Sequence, residues 1–229
     1  MSRKTFFFIL LFIGAATVCA DQSDARILQE ILEKCGLGDL SVDDVAEIED
    51  GRVVKLNVTN RDVAKDGITA LPGEIGKLTA LRELICTDNS IEVIPPQIGD
   101  CVNLRRIDFG SNRIVMLPPE IGKLQYLDSL DLRHNSLETL PPELASCENI
   151  QYLWLWGNKL TDITPVVGLK KLKELYLKDN RLITLPPAIM KIKFDYIDFL
   201  GNRLCHLPSR LDNWAKSIDN RYRSTQRCQ

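Results

Sequence analysis

The sequence predicts an elongated solenoid of stacked repeats, in which every repeat contributes one short strand. Three observations support this fold class: a period of 23 residues, an apolar L-x-x-L-x-L pattern, and an asparagine at a fixed place after it. Leu81, Leu104 and Leu127 start three successive units of this length. One such unit cannot bury its apolar face alone, so the units must stack.

Each position of the repeat has a physical role. In L-x-L the two apolar side chains point inward from a strand, and the residue between them points outward. An asparagine at the following bend can satisfy backbone groups that the turn leaves unpaired. Leu-Pro-Pro then favours an extended segment, because proline fixes φ and restricts the residue before it. The asparagines of the six regular copies are Asn89, Asn112, Asn135, Asn158, Asn180 and Asn202.

Residues 1–20 are expected to be a cleaved signal peptide. Basic residues precede an apolar run over 6–13, and small residues up to Ala20 suit a cleavage site before Asp21. The apolar run is too short for a comfortable membrane span. We therefore expect a secreted chain with no membrane span after cleavage; an uncleaved N-terminal anchor is the alternative.

The mature chain divides into three segments. Residues 21–52 are expected to form an N-terminal helical cap, with an amphipathic helix over 23–36. Residues 53–208 hold about seven repeats. Residues 209–229 are expected to form a C-terminal cap and tail, with a closing helix over 210–219 and then a solvated tail. Caps are required because a solenoid otherwise exposes the apolar edge of its end repeats.

Composition argues against several functions. The net charge of -2 is too small to indicate nucleic acid as a partner. The sequence has two histidines and no C-x-x-C, so a zinc site is not expected. It also lacks G-x-S-x-G, H-E-x-x-H and a phosphate-binding loop. We therefore expect neither enzymatic activity nor a cofactor or metal.

The cysteines fall into two groups. Cys86, Cys101 and Cys147 occupy apolar positions of the repeat and are expected to be buried. Cys205 and Cys228 flank the predicted closing helix, and export would allow them to form a disulfide that fastens the cap.

The outward positions of the strands predict a binding surface. Five aromatic residues occupy outward positions on three consecutive strands, with two carboxylates, an arginine and a histidine beside them. Exposed aromatics are typical of interface hot spots. Self-association and packing against a cap are the alternatives. The predicted partner-binding residues are Tyr152, Trp154, Trp156, Tyr176, Tyr196, Asp108, Asp131, Arg133 and His134.

A glycosylation site is predicted at Asn57. Asn57-Val58-Thr59 matches the N-x-[ST] acceptor motif. The repeat register places Asn57 between two inward residues, so its side chain is expected to point out from the strand face.

The units LPGEIGKLTALREL, LPPEIGKLQYLDSL and LPPELASCENIQYL resemble the L-P-x-x-I-G-x-L form of leucine-rich repeats. This form occurs in plant intracellular Ras-group-related repeat proteins and Ras-suppressor-like scaffolds. The N-terminal helix followed by GRVVKLNV is similar to the start of plant-type extracellular repeat proteins, including receptor ectodomains and polygalacturonase inhibitors. The resemblance covers about 51–208. It implies a curved α/β solenoid with a parallel sheet on its concave face, and a role in protein recognition.

The chain also departs from both groups. It lacks the L-x-G-x-I-P segment of the plant extracellular class, and it has only Cys35 where that class has paired cysteines. The intracellular scaffolds lack signal peptides. The specific ligands of either group therefore do not transfer.

These observations predict a secreted leucine-rich repeat protein that recognises a protein or peptide through its concave face. Two alternatives stay open: a carbohydrate or cell-wall binding module, because Trp and Tyr can stack on sugar rings, and an inhibitor of a secreted enzyme.

Overall fold

The protein forms one open, eight-stranded sheet. The computed structural model describes residues 18–60 and 67–228. The strands lie in chain order, each beside its sequence neighbours. The strands are β1 Ala46–Glu49, β2 Arg52–Asn57, β3 Glu83–Ile85, β4 Arg106–Asp108, β5 Ser129–Asp131, β6 Tyr152–Trp154, β7 Glu174–Tyr176 and β8 Tyr196–Asp198. The helices are α1 Val18–Lys34, α2 Val42–Val45, α3 Ser209–Ile218 and α4 Tyr222–Thr225.

The predicted register is confirmed from β2 to β8. These strands are parallel, and equivalent residues of successive repeats are direct partners, as Leu130 is with Ile107 and Leu153. The inward residues of these parallel strands are buried; Leu130 and Leu153 are typical. One continuous core therefore runs the length of the solenoid.

Short 3₁₀ helices form the side of each repeat opposite the strand. In the repeat that starts at Leu104, Pro118 is extended (φ −68°, ψ 145°) and the 3₁₀ helix Pro119–Lys123 follows. Gly122 in this helix lies against the next repeat, and a Cβ there would come within 2.6 Å of the carbonyl oxygen of Glu143. The glycine of the I-G pair therefore allows two neighbouring 3₁₀ helices to approach closely. Within the described residues, the 3₁₀ helices are Gly73–Lys77, Pro96–Asp100, Pro119–Lys123, Pro142–Ser146, Thr164–Gly168 and Pro187–Lys191.

The asparagines form a buried ladder that links each repeat to the preceding one. Asn158 Oδ1 accepts a hydrogen bond from the Leu137 N–H (3.0 Å), and its Nδ2 donates to the carbonyls of Leu132 (2.9 Å) and Leu155 (3.0 Å). The Leu132 carbonyl also accepts from Asn135 (3.1 Å). This pattern repeats at Asn89, Asn112, Asn135, Asn180 and Asn202. The asparagine thus pairs backbone groups that the bend would otherwise bury unpaired.

The N-terminal cap contains a β-hairpin that the sequence analysis missed. Strand β1 pairs antiparallel with β2, so the first strand of the sheet departs from the parallel arrangement. Asp50 and Gly51 connect the two strands with φ of 48° and 72°, as a two-residue type I′ hairpin turn requires. The predicted helix is present as α1. Asp24 in this helix accepts hydrogen bonds from the Val53 N–H (3.0 Å) and from Arg52 Nε (2.9 Å), which ties the helix to β2.

The closing helix is confirmed as α3, but the expectation of a solvated tail is wrong. Helix α4 follows α3, and its Tyr222 is fully buried against Phe199. The Tyr222 hydroxyl donates to Asp212 in α3. Burial of an aromatic ring stabilises the fold strongly, and this contact fixes the tail on the last repeat.

The tail also completes the asparagine ladder. In the regular repeats, the N–H two residues after each ladder asparagine donates to the asparagine of the next repeat, as Leu182 does to Asn202. No repeat follows Asn202, and Gln226 Oε1 accepts from the corresponding Leu204 N–H instead (3.0 Å). The Arg227 N–H donates to the Asn202 carbonyl (2.6 Å). A disulfide between Cys205 and Cys228, the pair favoured by the sequence, follows directly, with Cα atoms 5.9 Å apart. The C-terminal cap therefore substitutes for a further repeat.

Most of the predicted signal peptide lies outside the described residues. Residues 18–20 belong to the first turn of α1. No helix in the part of the chain that the structure describes is long and apolar enough to span a bilayer.

Candidate functional site

The five predicted aromatic residues lie together on one face of the sheet, here called the aromatic patch: Tyr152, Trp154, Trp156, Tyr176 and Tyr196. Four of them lie on the neighbouring strands β6, β7 and β8, and Trp156 follows the end of β6 by two residues. Trp154 is the direct ladder partner of Tyr176. The positions alternate with buried leucines such as Leu153 and Leu155, which forces the rings outward. The patch therefore results from the repeat register, which places these aromatic residues at outward positions of neighbouring repeats.

Four rings of the patch form a continuous row. The ring centroids of Tyr152 and Trp154 are 5.9 Å apart and nearly parallel, and those of Trp154 and Tyr176 are also 5.9 Å apart. Tyr176 and Tyr196 are closer, at 4.8 Å. These separations are typical of favourable aromatic pairs, so the row is a preorganised surface that crosses three strands.

The patch is only partly covered by the protein itself. Tyr196 is 47% exposed, and the other four side chains are half-buried by their neighbours in the sheet. The cap approaches the patch at its β8 end, where Tyr196 lines a cavity together with the cap residues Ser217, Ile218, Asp219 and Arg221. The cap therefore lies beside Tyr196 at one end of the row, and it does not cover Tyr152 or Trp154 at the other end.

A local contact fixes Tyr176 in the row. The Tyr176 hydroxyl donates to Glu174 Oε2 (2.9 Å) on the same strand. Burial, followed by this hydrogen bond, raises the pKa of Tyr176 to about 12. Burial also raises the pKa of Tyr196. Both phenols are therefore neutral donors at physiological pH.

The predicted carboxylates lie beside the row but are more buried than its rings. Asp108 and Asp131 are direct ladder partners, and they are 6% and 7% exposed. Asp131 accepts from the Arg133 N–H (3.0 Å) and pairs with the Arg133 side chain (3.0 Å), while Asp108 accepts from the Gly110 N–H (3.2 Å). Burial is the main cause that raises the pKa of Asp131 to about 6. The hydrogen bonds that Asp108 and Asp131 accept from backbone amides are thus made with residues that directly follow their own strands.

His134 contacts the aromatic patch through Trp156. Their ring centroids are 4.0 Å apart in an edge-to-face arrangement. His134 has a φ of 50°, and the equivalent residue precedes the ladder asparagine in every regular repeat. Asp88, Ser111 and Asp179 adopt the same left-handed conformation there, which fixes the direction in which the His134 side chain leaves the sheet.

A basic edge, which was not predicted from the sequence, adjoins the patch. Its defining residues are Lys159, Arg181 and Arg203, each of which directly follows a ladder asparagine. They line one cavity together with Arg227 and Asp179. The sequence contains enough information to predict this edge, because Lys159, Arg181 and Arg203 occupy the same position in three successive repeats.

The thiols do not form a site. Cys86, Cys101 and Cys147 are fully buried, as predicted. The Cys147 thiol donates to the Ile121 carbonyl (3.1 Å), and burial raises the Cys147 pKa to about 11. Burial likewise raises the pKa of Cys101 to about 12. These protonated thiols are unsuited to nucleophilic chemistry. In the described ranges no cluster of His, Cys, Asp or Glu could hold a metal ion.

Asn57 lies at the end of β2 and is partly exposed. Its Oδ1 accepts from the Thr59 N–H (3.1 Å) and hydroxyl (2.7 Å). The Thr59 hydroxyl is also 2.9 Å from that of Thr87 on the next repeat. The predicted glycan acceptor thus lies on the strand face, at the end remote from the aromatic patch.

Comparison with known proteins supports the repeat assignment. The leucine-rich repeat model matches residues 102–160, and the model of two leucine-rich repeat copies matches 148–189. A leucine-rich repeat protein of Leptospira interrogans is 31% identical, with a TM-score of 0.51, over 63% of this chain and 43% of that one. No curated protein matches the chain.

Two plant structures are also similar. A plant ice-binding protein is 23% identical with a TM-score of 0.68, over 81% of this chain and 64% of that one. The ectodomain of the Arabidopsis thaliana receptor kinase GASSHO1/SCHENGEN3, in complex with CASPARIAN STRIP INTEGRITY FACTOR 2, is 28% identical with a TM-score of 0.58. That match covers 71% of this chain and 20% of the ectodomain. The chain spans less than two thirds of each of the three proteins. The repeats, their asparagine ladder and these matches together show that the chain folds as a leucine-rich repeat solenoid.

Proposed function

We propose that the protein is a secreted, non-enzymatic recognition module that binds a protein or peptide through the aromatic patch. The observation that carries the proposal is the row of four rings on β6, β7 and β8, which the cap covers only at one end. Large, partly exposed aromatics held in fixed positions supply contact area with little loss of side-chain entropy on binding. Solenoid proteins in general bind their partners through the extended surface that their stacked repeats form.

The similarity to a receptor ectodomain in complex with a factor is consistent with this role, although the likeness covers a fifth of that ectodomain. An enzyme inhibitor would be one form of the same function, since its target is also a protein. Secretion is supported by the features of residues 1–20 and by the disulfide, which persists in oxidising compartments. Sequencing the N-terminus of the exported protein tests this part; the proposal expects Asp21, and an intact Met1 in the membrane fraction contradicts it.

The binding test is affinity capture from the native secretion environment. The chain from Asp21 is compared with the Trp154→Ala/Trp156→Ala variant, and mass spectrometry identifies what each retains. We expect a protein retained by the wild type to be lost from the variant. Tyr126→Ala is the matched control, because Tyr126 is an exposed aromatic (57%) outside the patch.

Two results would contradict the proposal. Equal capture by the wild type and the double variant would exclude the patch. Capture of polysaccharide alone would favour the carbohydrate-binding alternative, for which stacked Trp and Tyr rings are also suited. Circular dichroism of both variants checks that the fold is retained.

A further inference from the structure

The basic edge repeats one cation per repeat at a fixed place. Lys159, Arg181 and Arg203 occur on three successive repeats, and their backbones are bonded in register. The Arg181 N–H donates to the Leu160 carbonyl (2.9 Å), and the Arg203 N–H donates to the Leu182 carbonyl (2.8 Å). The three backbone positions are therefore spaced at about the 5 Å distance of neighbouring strands.

Little negative charge offsets these cations. Among the residues that line their shared cavity, of about 390 Å³, Asp179 is the one carboxylate. Arg227 from the C-terminal cap already pairs with it at 2.6 Å. No ion pair of Lys159, Arg181 or Arg203 occurs within 18–60 or 67–228. Adjacent like charges repel each other, and an anionic ligand would relieve this repulsion.

The basic edge directly follows the aromatic patch along the chain, and its cavity includes Gly157, the residue after Trp156. Trp156 and Lys159 are separated by the turn residue Gly157 and the buried Asn158. Lys178, which is exposed, follows Tyr176 by two residues and lies on the same side of the sheet. A ligand that covers the rings of β6 and β7 therefore meets the cations at the carboxyl ends of those strands.

We infer that the basic edge binds acidic side chains of the same protein partner whose apolar residues cover the aromatic patch. This inference rests on the proposed function. The cations are distributed along three repeats instead of converging on one point, which fits a run of Asp or Glu side chains better than one compact anion. Guanidinium groups such as those of Arg181 and Arg203 bind carboxylates in a bidentate geometry.

The test uses a fluorescein-labelled oligoglutamate as probe and an oligoglutamine of the same length for comparison. Fluorescence anisotropy is measured at low salt with the chain from Asp21. We expect tighter binding of oligoglutamate, which weakens as salt is added. Arg181→Glu/Arg203→Glu should weaken it about tenfold or more, since two attractions become repulsions.

Lys191→Glu/Lys193→Glu is the matched control, because it makes the same charge change at two exposed lysines that end and follow the last 3₁₀ helix. Oligoglutamate binding by this variant should stay within about twofold of the wild type. Equal binding of the two peptides, or an equal loss in both variants, would overturn the inference. Displacement of oligoglutamate by equimolar inorganic phosphate would also overturn it, because the site would then suit a compact anion.

The two proposals fail in different ways. If the captured partner depends on Trp154 and Trp156 but is retained equally by the Arg181→Glu/Arg203→Glu variant, the aromatic patch stands and the acidic-segment inference fails. If partner capture is independent of the tryptophans, the proposed function fails, whatever the oligoglutamate result.

Discussion

The asparagine ladder allows a quantitative prediction for Asn158→Ala. Removal of the amide leaves the buried Leu137 N–H without a partner. It also removes one donor from each of the Leu132 and Leu155 carbonyls. Each of these carbonyls keeps a second donor, since Asn135 bonds the first (3.1 Å) and Asn180 the second (2.9 Å). The unpaired N–H is therefore the dominant loss.

The magnitude follows from this count. A buried unsatisfied donor costs about 1–3 kcal/mol, and each lost bond to a carbonyl that keeps another donor costs about 0.5 kcal/mol. We expect Asn158→Ala to lower the free energy of unfolding by about 2–4 kcal/mol. Asn103→Ala is the control, because exposed Asn103 makes one bond, to the Thr79 carbonyl (2.8 Å); its cost should be under about 1 kcal/mol.

Urea unfolding followed by circular dichroism measures both variants. Hydrogen exchange of the Leu137 amide locates the effect, since this N–H should exchange faster in Asn158→Ala. The reasoning is refuted if Asn158→Ala costs no more than Asn103→Ala, or if the Leu137 amide keeps its protection.

Three further predictions concern packing, the cap and pH. Gly122→Ala should destabilise the protein by about 1–3 kcal/mol, because its Cβ would approach the Glu143 carbonyl to 2.6 Å; an unchanged melting temperature would refute the close approach. Cys205→Ser/Cys228→Ser should cost about 3 kcal/mol by releasing a link across 23 residues, and hydrogen exchange should increase first at the C-terminal cap. Asp131 has its pKa raised to about 6 in the folded state, so the folded protein binds more protons here than the unfolded chain between about pH 4 and 6. Its contribution to stability is present below this window and lost as pH rises through it, by at most about 3 kcal/mol. Asp131→Asn should lack this loss in urea unfolding, and parallel pH curves for variant and wild type would contradict the assignment.

The regular repeats were predictable because several independent patterns agree in them. Apolar spacing, asparagine position and Leu-Pro-Pro all fix the same register. A one-residue error would have moved Leu130 to the exposed face, whereas Leu130 is fully buried. The outward columns, including the five aromatics, follow directly from that register.

The two ends were harder to predict, for different reasons. The hairpin of β1 and β2 had a local signal, Asp50-Gly51 between apolar runs, which a search for repeats alone passes over. The tail had no such signal. Gln226 accepts a hydrogen bond from the Leu204 N–H. This contact requires the tail to fold back, which the packing of Tyr222 on the last repeat brings about.

The candidate site was also predictable only in part. Residue identity and register predict which side chains face outward, but not how they pair. Asp108 and Asp131 each accept from the amide two residues further on, and Asn57 and Asp198 make the same bond at the same repeat position. The register places these side chains on the outward face, but it does not predict that Asp108 and Asp131 are almost fully buried there. The edge-to-face contact of His134 with Trp156 similarly depends on a left-handed backbone conformation at His134.

The most direct test of the central claim is hydroxyl-radical footprinting of the protein with its captured partner. Oxidation is measured by mass spectrometry at Tyr152, Trp154 and Trp156, with exposed Tyr126 as the internal control. Our account predicts that saturating partner lowers oxidation of the three patch residues and leaves Tyr126 unchanged. Unchanged oxidation of the patch in the complex, with protection elsewhere on the chain, would contradict it.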